Sequence, residues 1–242
     1  MCTVTYIPCR ETYFITSNRD EKYSRSTAIA PVVYEINQRK LIFPKDADAG
    51  GSWIALDENG STAVLLNGAF EKHEPAPPYR QSRGQAFLTI VAAQKPVLHF
   101  QEVDLSGIEP FTIIILDKHH LHECRWDGTD KYSKQLKKHR PYIWSSVTLY
   151  DGDTIRKREK WFADFLKRHR EPTQKDILEF HHFAGDGDSD NNLLMERDGM
   201  FSTVSITNIL LTSDRASMKY IDIKNNRTTE RKIELLNTME MV

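Results

Sequence analysis

The chain reads as an α+β protein built from antiparallel sheets. Segments rich in β-branched and aromatic residues outnumber helical ones, and they come as neighbouring pairs around short turn signals. The helical segments are inserted between such pairs and do not alternate with single strands, which argues against a parallel βαβ architecture. Leu, Ile, Val and Phe make up about 24% of the 242 residues, above the ~20% below which chains tend to stay disordered. No internal repeat, low-complexity tract or linker divides the chain, so a single domain over residues 1–242 is expected.

The elements follow in order. Cys2 to Ile7 and Thr12 to Ser17 form a first pair around Pro8-Cys9-Arg10-Glu11. Ala30 to Ile36 and Lys40 to Phe43 form a second around Asn37-Gln38-Arg39. Ser52 to Leu56 and Thr62 to Leu66 flank Asp57-Glu58-Asn59-Gly60, where Asn-Gly tolerates the positive φ of a tight turn. Glu71 to Gln81 holds three prolines without periodicity and reads as an exposed loop beside any cleft. Gly84 to Gln94 is a helix closed by Pro96. Phe111 to Leu116 and Leu121 to Trp126 make a further hairpin. Thr154 to His169 is a helix with Ile155, Trp161, Phe162, Phe165 and Leu166 on one face. Thr173 caps a short helix ending near His182, with Asp176 as its capping partner. Phe201 to Leu211, Met218 to Ile223 and a hairpin from Asn225-Asn226 to Glu234 complete the strands.

Charge excludes some functions. With 33 basic and 34 acidic residues the net charge is -1, so no overall field collects nucleic acid or an anionic membrane. The basic run Lys131 to Arg140 has a single aromatic, Tyr132, too few to make a stacking platform, and reads as a solvated face. The longest apolar run, Phe111 to Leu116, is far short of the ~20 residues of a bilayer span. The amino terminus lacks the basic and apolar regions of a secretory signal. Three cysteines cannot pair completely. Together these point to the cytoplasm.

Chemistry concentrates at Cys2. Removal of Met1 is expected before so small a residue, and it would leave a cysteine carrying its own base. A free α-amino group titrates near ~7.7–8.0, so part of it is neutral at physiological pH and can take the thiol proton. A hairpin turning around Cys9-Arg10-Glu11 sets Cys2 opposite residue 18, within a residue or two. The facing strand ends there in Asn18-Arg19-Asp20-Glu21. An arginine beside a thiol favours the thiolate, and an aspartate can hold the ammonium or the arginine in place.

These residues resemble the NRDE family, also called the transport and Golgi organisation protein 2 family. The resemblance rests on Met1-Cys2-Thr3 and Ser17-Asn18-Arg19-Asp20-Glu21, then Ala49-Gly50-Gly51-Ser52-Trp53-Ile54, Ala63-Val64-Leu65-Leu66-Asn67 and Ser82-Arg83-Gly84. Ser202-Thr203-Val204 is a weaker match. The family looks like a branch of the N-terminal-nucleophile hydrolases, which implies a four-layer αββα sandwich of two antiparallel sheets. In cysteine members of that superfamily, such as penicillin V acylases and bile salt hydrolases, the terminal thiol attacks an amide carbonyl and its α-amino group moves the proton. The resemblance thus implies Cys2 as nucleophile, Arg19 and Asp20 as orienting residues and Asn67 as oxyanion donor, with Asn18 on the substrate side. The local order Asn-Arg-Asp differs from the acylases' Arg-Asn-x-Asp. A second asparagine of those enzymes corresponds to Ser146, which leaves a hydroxyl to meet the substrate. The strand near Phe201 lacks their arginine.

Two functions follow: hydrolysis of a non-peptide C–N bond in a small amide, or non-enzymatic binding and trafficking of haem or a lipid acyl group on the same fold. Neither needs a resident cofactor. His120, His122 and Cys124, with His119 before them, are residue types that hold zinc or haem iron, but no fourth ligand follows at zinc spacing and no metal is assigned. Asp186-Gly187-Asp188-Ser189-Asp190 fails as a calcium loop, since Asn191 replaces the required glycine and Arg197 the closing glutamate.

Overall fold

The computed structural model describes residues 2–235, and for Cys2 the backbone alone. The strands are β1 (Cys2–Cys9), β2 (Thr12–Lys22), β3 (Ile29–Ile36), β4 (Arg39–Lys45), β5 (Ile54–Asp57), β6 (Thr62–Asn67), β7 (Phe111–Leu116), β8 (Leu121–Trp126), β9 (Lys131–Leu136), β10 (Tyr142–Ser145), β11 (Glu196–Arg197), β12 (Phe201–Leu211), β13 (Arg215–Asp222) and β14 (Arg227–Glu234). The helices are α1 (Arg83–Val91), α2 (Pro96–Glu102), α3 (Gly152–Arg168) and α4 (Gln174–Phe183). One sheet has the order β10-β1-β2-β12-β13-β14, with β11 against β12, and the other runs β3-β4-β5-β6-β7-β8-β9. Every pairing in both is antiparallel.

The helices cover the outer faces, giving the αββα sandwich. On one side Phe87, Ile90 and Phe100 join the second sheet's Ile113, Ile115 and Leu116 and the inter-sheet residues Val4, Tyr6 and Ile15 in one core. On the other, Phe162, Phe165, Ile177 and Phe180 cover Ile7 and Phe14 of the first sheet. The Phe165 and Phe180 rings lie 4.8 Å apart. Each such buried ring contributes roughly 1.5–3 kcal/mol by transfer from water. Thr173 and Asp176 form the expected reciprocal cap of α4, and Ser82 with Gln85 forms another on α1.

Several features differ from the expectation, among them strands β9 and β10, which lie where no strand is expected. Pro96 does more than close a helix: it is the first residue of α2, where its missing N–H costs nothing. β2 runs on past Ser17 through Asn18, Arg19 and Asp20 to Lys22, and these three are buried in the sheet because their polar groups find partners there. No helix among the described residues is long and apolar enough to cross a membrane.

Candidate active site

The first hairpin turns on Arg10 and Glu11, with Arg10 at φ 55°. The resulting register sets Cys2 across from Arg19 and Thr3 across from Asn18, one residue along from the pairing centred on Asn18. Alternation then separates neighbours. Val4 and Tyr6 of β1, with Ile15 of β2, face the second sheet, while Ile7 and Phe14 face the helices. Position 2 and Arg19 belong by this parity to the inter-sheet face, whereas Asn18 and Asp20 belong to the helix face. The side chain of Cys2 and all of Met1 lie outside the described residues.

On the inter-sheet face Arg19 lines a cleft of about 500 Å³. Its guanidinium lies 4.4 Å from the centroid of the Trp53 ring and donates to Asp46 Oδ2 at 2.5 Å. Arg25 grips the same carboxylate through both oxygens, at 3.0 and 3.1 Å. Burial pushes the Asp46 carboxyl up, but the Arg25 hydrogen bonds, the Ala49 N–H and the two guanidinium charges outweigh it and hold the group below its ordinary value. Asp46 therefore stays ionised and fixes Arg19 in place. Lys72, His73 and Pro75, from the predicted proline-rich loop, close another wall. Across the cleft Glu109 pairs with Arg83 at 3.2 Å and approaches His73 at 3.4 Å.

Asn67 reaches this cleft from the end of β6. Ser146 is buried, and its hydroxyl donates to the Asn67 backbone carbonyl at 2.9 Å. The serine thus holds the backbone of Asn67, and it is not among the residues that line the cleft.

Asp20 and Asn18 point into a buried polar layer beneath the helices. Asp20 Oδ2 accepts from Tyr150 Oη and Oδ1 from Thr203 Oγ1, both at 2.6 Å. Thr203 Oγ1 accepts the Met195 N–H, and its own proton goes to the charged carboxylate at 2.6 Å ahead of the Leu193 carbonyl at 3.2 Å. A β-bulge between Thr203 and Ser205 falls opposite Asp20 and Arg19, where an extra residue re-aims side chains. Arg158, fully buried, lies 3.7 Å over the Tyr150 ring and donates to the carbonyls of Asn191 and Asn192 and to Thr3 Oγ1. The Asn18 amide donates to the carbonyls of His181 and Leu193 at 3.0 and 2.7 Å. Those two acceptors fix its orientation, so Oδ1 meets His181 Nδ1 at 2.6 Å and that nitrogen carries the proton. His181 Nε2 then accepts from Thr5 Oγ1 at 2.7 Å. Asn18 is accordingly committed to α4 and lies apart from the cleft.

Two further sequence motifs prove to be one contact. A Cβ on Gly51 would lie 2.3 Å from the backbone carbonyl carbon of Gly84, and the Ser52 N–H donates to the Gly84 carbonyl. The glycines let the strand-entry segment meet the start of α1 and shape the cleft wall. Cys124 is fully buried against Ser133, and burial pushes its thiol up to about 11, so it is inert. Tyr150, Arg158, His181 and Asp46 escaped the sequence reading: each lies far along the chain from its partner, and no local pattern marks it.

With this geometry in hand, a family model described as Transport and Golgi organisation 2 matches residues 1–228. No curated protein sequence matches the chain. Among solved structures, the Caenorhabditis elegans ortholog of N-acylethanolamine-hydrolyzing acid amidase superposes with a TM-score of 0.56 at 14% identity, covering 86% of this chain and 92% of that one. A cysteine-to-alanine mutant of the conjugated bile acid hydrolase from Clostridium perfringens gives 0.52 at 10% identity, covering 96% of each chain. An arginine-to-leucine variant of that hydrolase gives 0.52 at 9% identity, covering 96% of this chain and 97% of that one. At these identities the likeness is one of fold.

Proposed function

The chain belongs to the transport and Golgi organisation 2 family, and we propose that it is an N-terminal-nucleophile hydrolase using Cys2 to cleave a non-peptide C–N bond in a small amide. The observation that carries this reading is the register setting position 2 directly across from Arg19 at a cleft that also holds Asn67. The amide class follows the fold neighbours, whose names record action on N-acylethanolamines and conjugated bile acids.

The chemistry would run in two halves. Once Met1 is removed, the Cys2 α-amino group takes the thiol proton and Arg19, anchored by Asp46, favours the thiolate. Sulfur adds to the amide carbonyl, and the Asn67 side chain donates to the developing oxyanion. The C–N bond breaks, the α-ammonium protonates the departing amine, and the acyl group remains on sulfur as a thioester. Water, deprotonated by the α-amino group, then attacks the thioester, releasing a carboxylic acid and the thiol. Asp20 follows Arg19 on β2, but its two oxygens are taken by Tyr150 and Thr203, so its role is to hold the end of the strand from the helix side and not to line the cleft. A reducing compartment such as the cytoplasm keeps the nucleophile as a free thiol.

A second reading, a carrier of haem or a lipid acyl group, draws on Ser146. Its hydroxyl is spent on the Asn67 carbonyl, so it supplies no second oxyanion donor. Intact-mass measurement followed by a panel of small amides separates the two. Hydrolysis requires loss of the Met1 mass, turnover of at least one amide, and abolition of that turnover in Cys2→Ala. Retention of Met1 sinks the enzyme reading, and a Soret shift on haem titration of the same inactive protein supports the carrier.

A further inference from the structure

Away from the cleft, the turn between β7 and β8 gathers three side chains of metal-binding type. Asp117, His120 and His122 each offer one ligand atom, and those atoms lie within 4.8 Å of one another. We propose that these residues form a site for a divalent transition ion of the zinc class, with solvent completing the coordination.

The donor set selects the ion. Two imidazoles and one carboxylate suit zinc and its neighbours, whereas magnesium and calcium require oxygen ligands throughout. Zinc bonds of about 2.0–2.2 Å place tetrahedral donors roughly 3.4 Å apart, so closing the site from separations of up to 4.8 Å needs a movement of up to about 1.4 Å. His120 is exposed and can supply it by rotating. The rest of the turn is fixed. Asp117 Oδ1 accepts the His119 N–H at 2.8 Å and the His120 N–H at 2.6 Å, and the Asp117 N–H donates to the His120 carbonyl at 2.9 Å. These bonds hold the carboxylate beside the imidazoles before any ion arrives. The His122 Nδ1 is buried without a hydrogen-bond partner, an arrangement native proteins rarely keep without a reason. The His120 and His122 rings already lie 5.8 Å apart, centroid to centroid. Lys138 is the opposing influence: its ammonium donates to the Lys118 carbonyl in the same turn, and its charge weakens the site.

The test uses the full chain, stripped with a chelator and dialysed against micromolar zinc, with bound metal counted by elemental analysis. About one zinc per chain is expected for the parent and for Cys2→Ala, falling to background in His120→Gln and His122→Gln. Zinc should also raise the melting temperature of the parent and leave that of His120→Gln unchanged. His120 is on the surface, so its variant keeps the test valid if His122→Gln fails to fold. Zinc retained by His120→Gln, zinc lost in Cys2→Ala, no zinc on the parent, or equal retention of magnesium would each overturn the proposal.

Discussion

The Tyr150 hydroxyl donates to Asp20 Oδ2 at 2.6 Å, tying the segment that leads into α3 to the polar end of β2, with both residues buried. Burial pushes the Asp20 carboxyl up, while the Arg158 charge and the Thr203 and Tyr150 hydroxyls act the other way. Tyr150→Phe removes one donor from a buried acceptor, so it should cost about 1–3 kcal/mol in urea unfolding. Asp20→Ala should cost more, about 3–5 kcal/mol, because it leaves the Arg158 charge without its counter-charge. A Tyr150→Phe loss inside the ~0.5 kcal/mol typical of surface positions would show that the pair is not coupled.

His181 gives the protein an acid limit. Burial, and then the Arg158 charge, lower its pKa from 6.5 to about 3. A base depressed in the folded state contributes stability that is complete above the unfolded pKa and is lost as pH falls toward the folded value. Between pH 6.5 and pH 5 that loss, at about 1.4 kcal/mol per unit, reaches about 2 kcal/mol. His181→Gln should therefore show a flatter fall in melting temperature between pH 7 and pH 5 than the parent. Parallel curves for the two proteins would exclude His181 as the source.

What was legible in the sequence divides by distance along the chain. Hairpins were legible because turn chemistry is local: the Asn59-Gly60 turn and the strands Phe111–Leu116 and Phe201–Leu211 lie where pattern places them. Asn18, Arg19 and Asp20 were read as one cluster facing Cys2, yet strand parity sends Arg19 to the cleft and its two neighbours to the helices. The hairpin estimate was good to a residue, and one residue decides which face a side chain takes. Motif position sets Ser146 where the related enzymes carry a second asparagine, with its hydroxyl toward substrate, whereas that hydroxyl serves the Asn67 backbone. Spacing along the strand points from His120 and His122 to Cys124, but the donor that the fold brings beside them is Asp117, at the other end of the turn.

The glycine contact predicts a steric result. At Gly51 a methyl group would meet the Gly84 carbonyl carbon at 2.3 Å, the Gln85 nitrogen at 2.6 Å and the Gly84 Cα at 2.8 Å. All three are backbone atoms, so no side-chain rotation relieves the clash and α1 must shift. Gly51→Ala should lose about 1–3 kcal/mol or more, as overpacked cores do. Gly187→Ala is the control for a glycine with open space, since no heavy atom lies within 4 Å of its Cβ, although its φ of 94° adds backbone strain. If Gly51→Ala melts no lower than Gly187→Ala, the contact between the two motifs does not constrain the fold.

Arg19 offers a test of the nucleophile that needs no substrate. Its guanidinium stacks on Trp53 and is held by Asp46, and the register brings its strand position level with Cys2. A fixed positive charge beside a thiol lowers the thiol pKa below the usual ~8.5. In Arg19→Gln the pH midpoint for alkylation of Cys2 should therefore rise, with each unit of rise slowing modification at neutral pH about tenfold. Arg19→Lys should fall between the two proteins, because a lysine keeps the charge but loses the planar stack and the forked donor geometry. Peptide mass spectrometry follows Cys2 separately from Cys9, whose unchanged rate serves as the internal reference. An alkylation midpoint for Cys2 that stays put in Arg19→Gln would remove Arg19 from the catalytic assignment and leave the α-amino group as the thiol's sole activator.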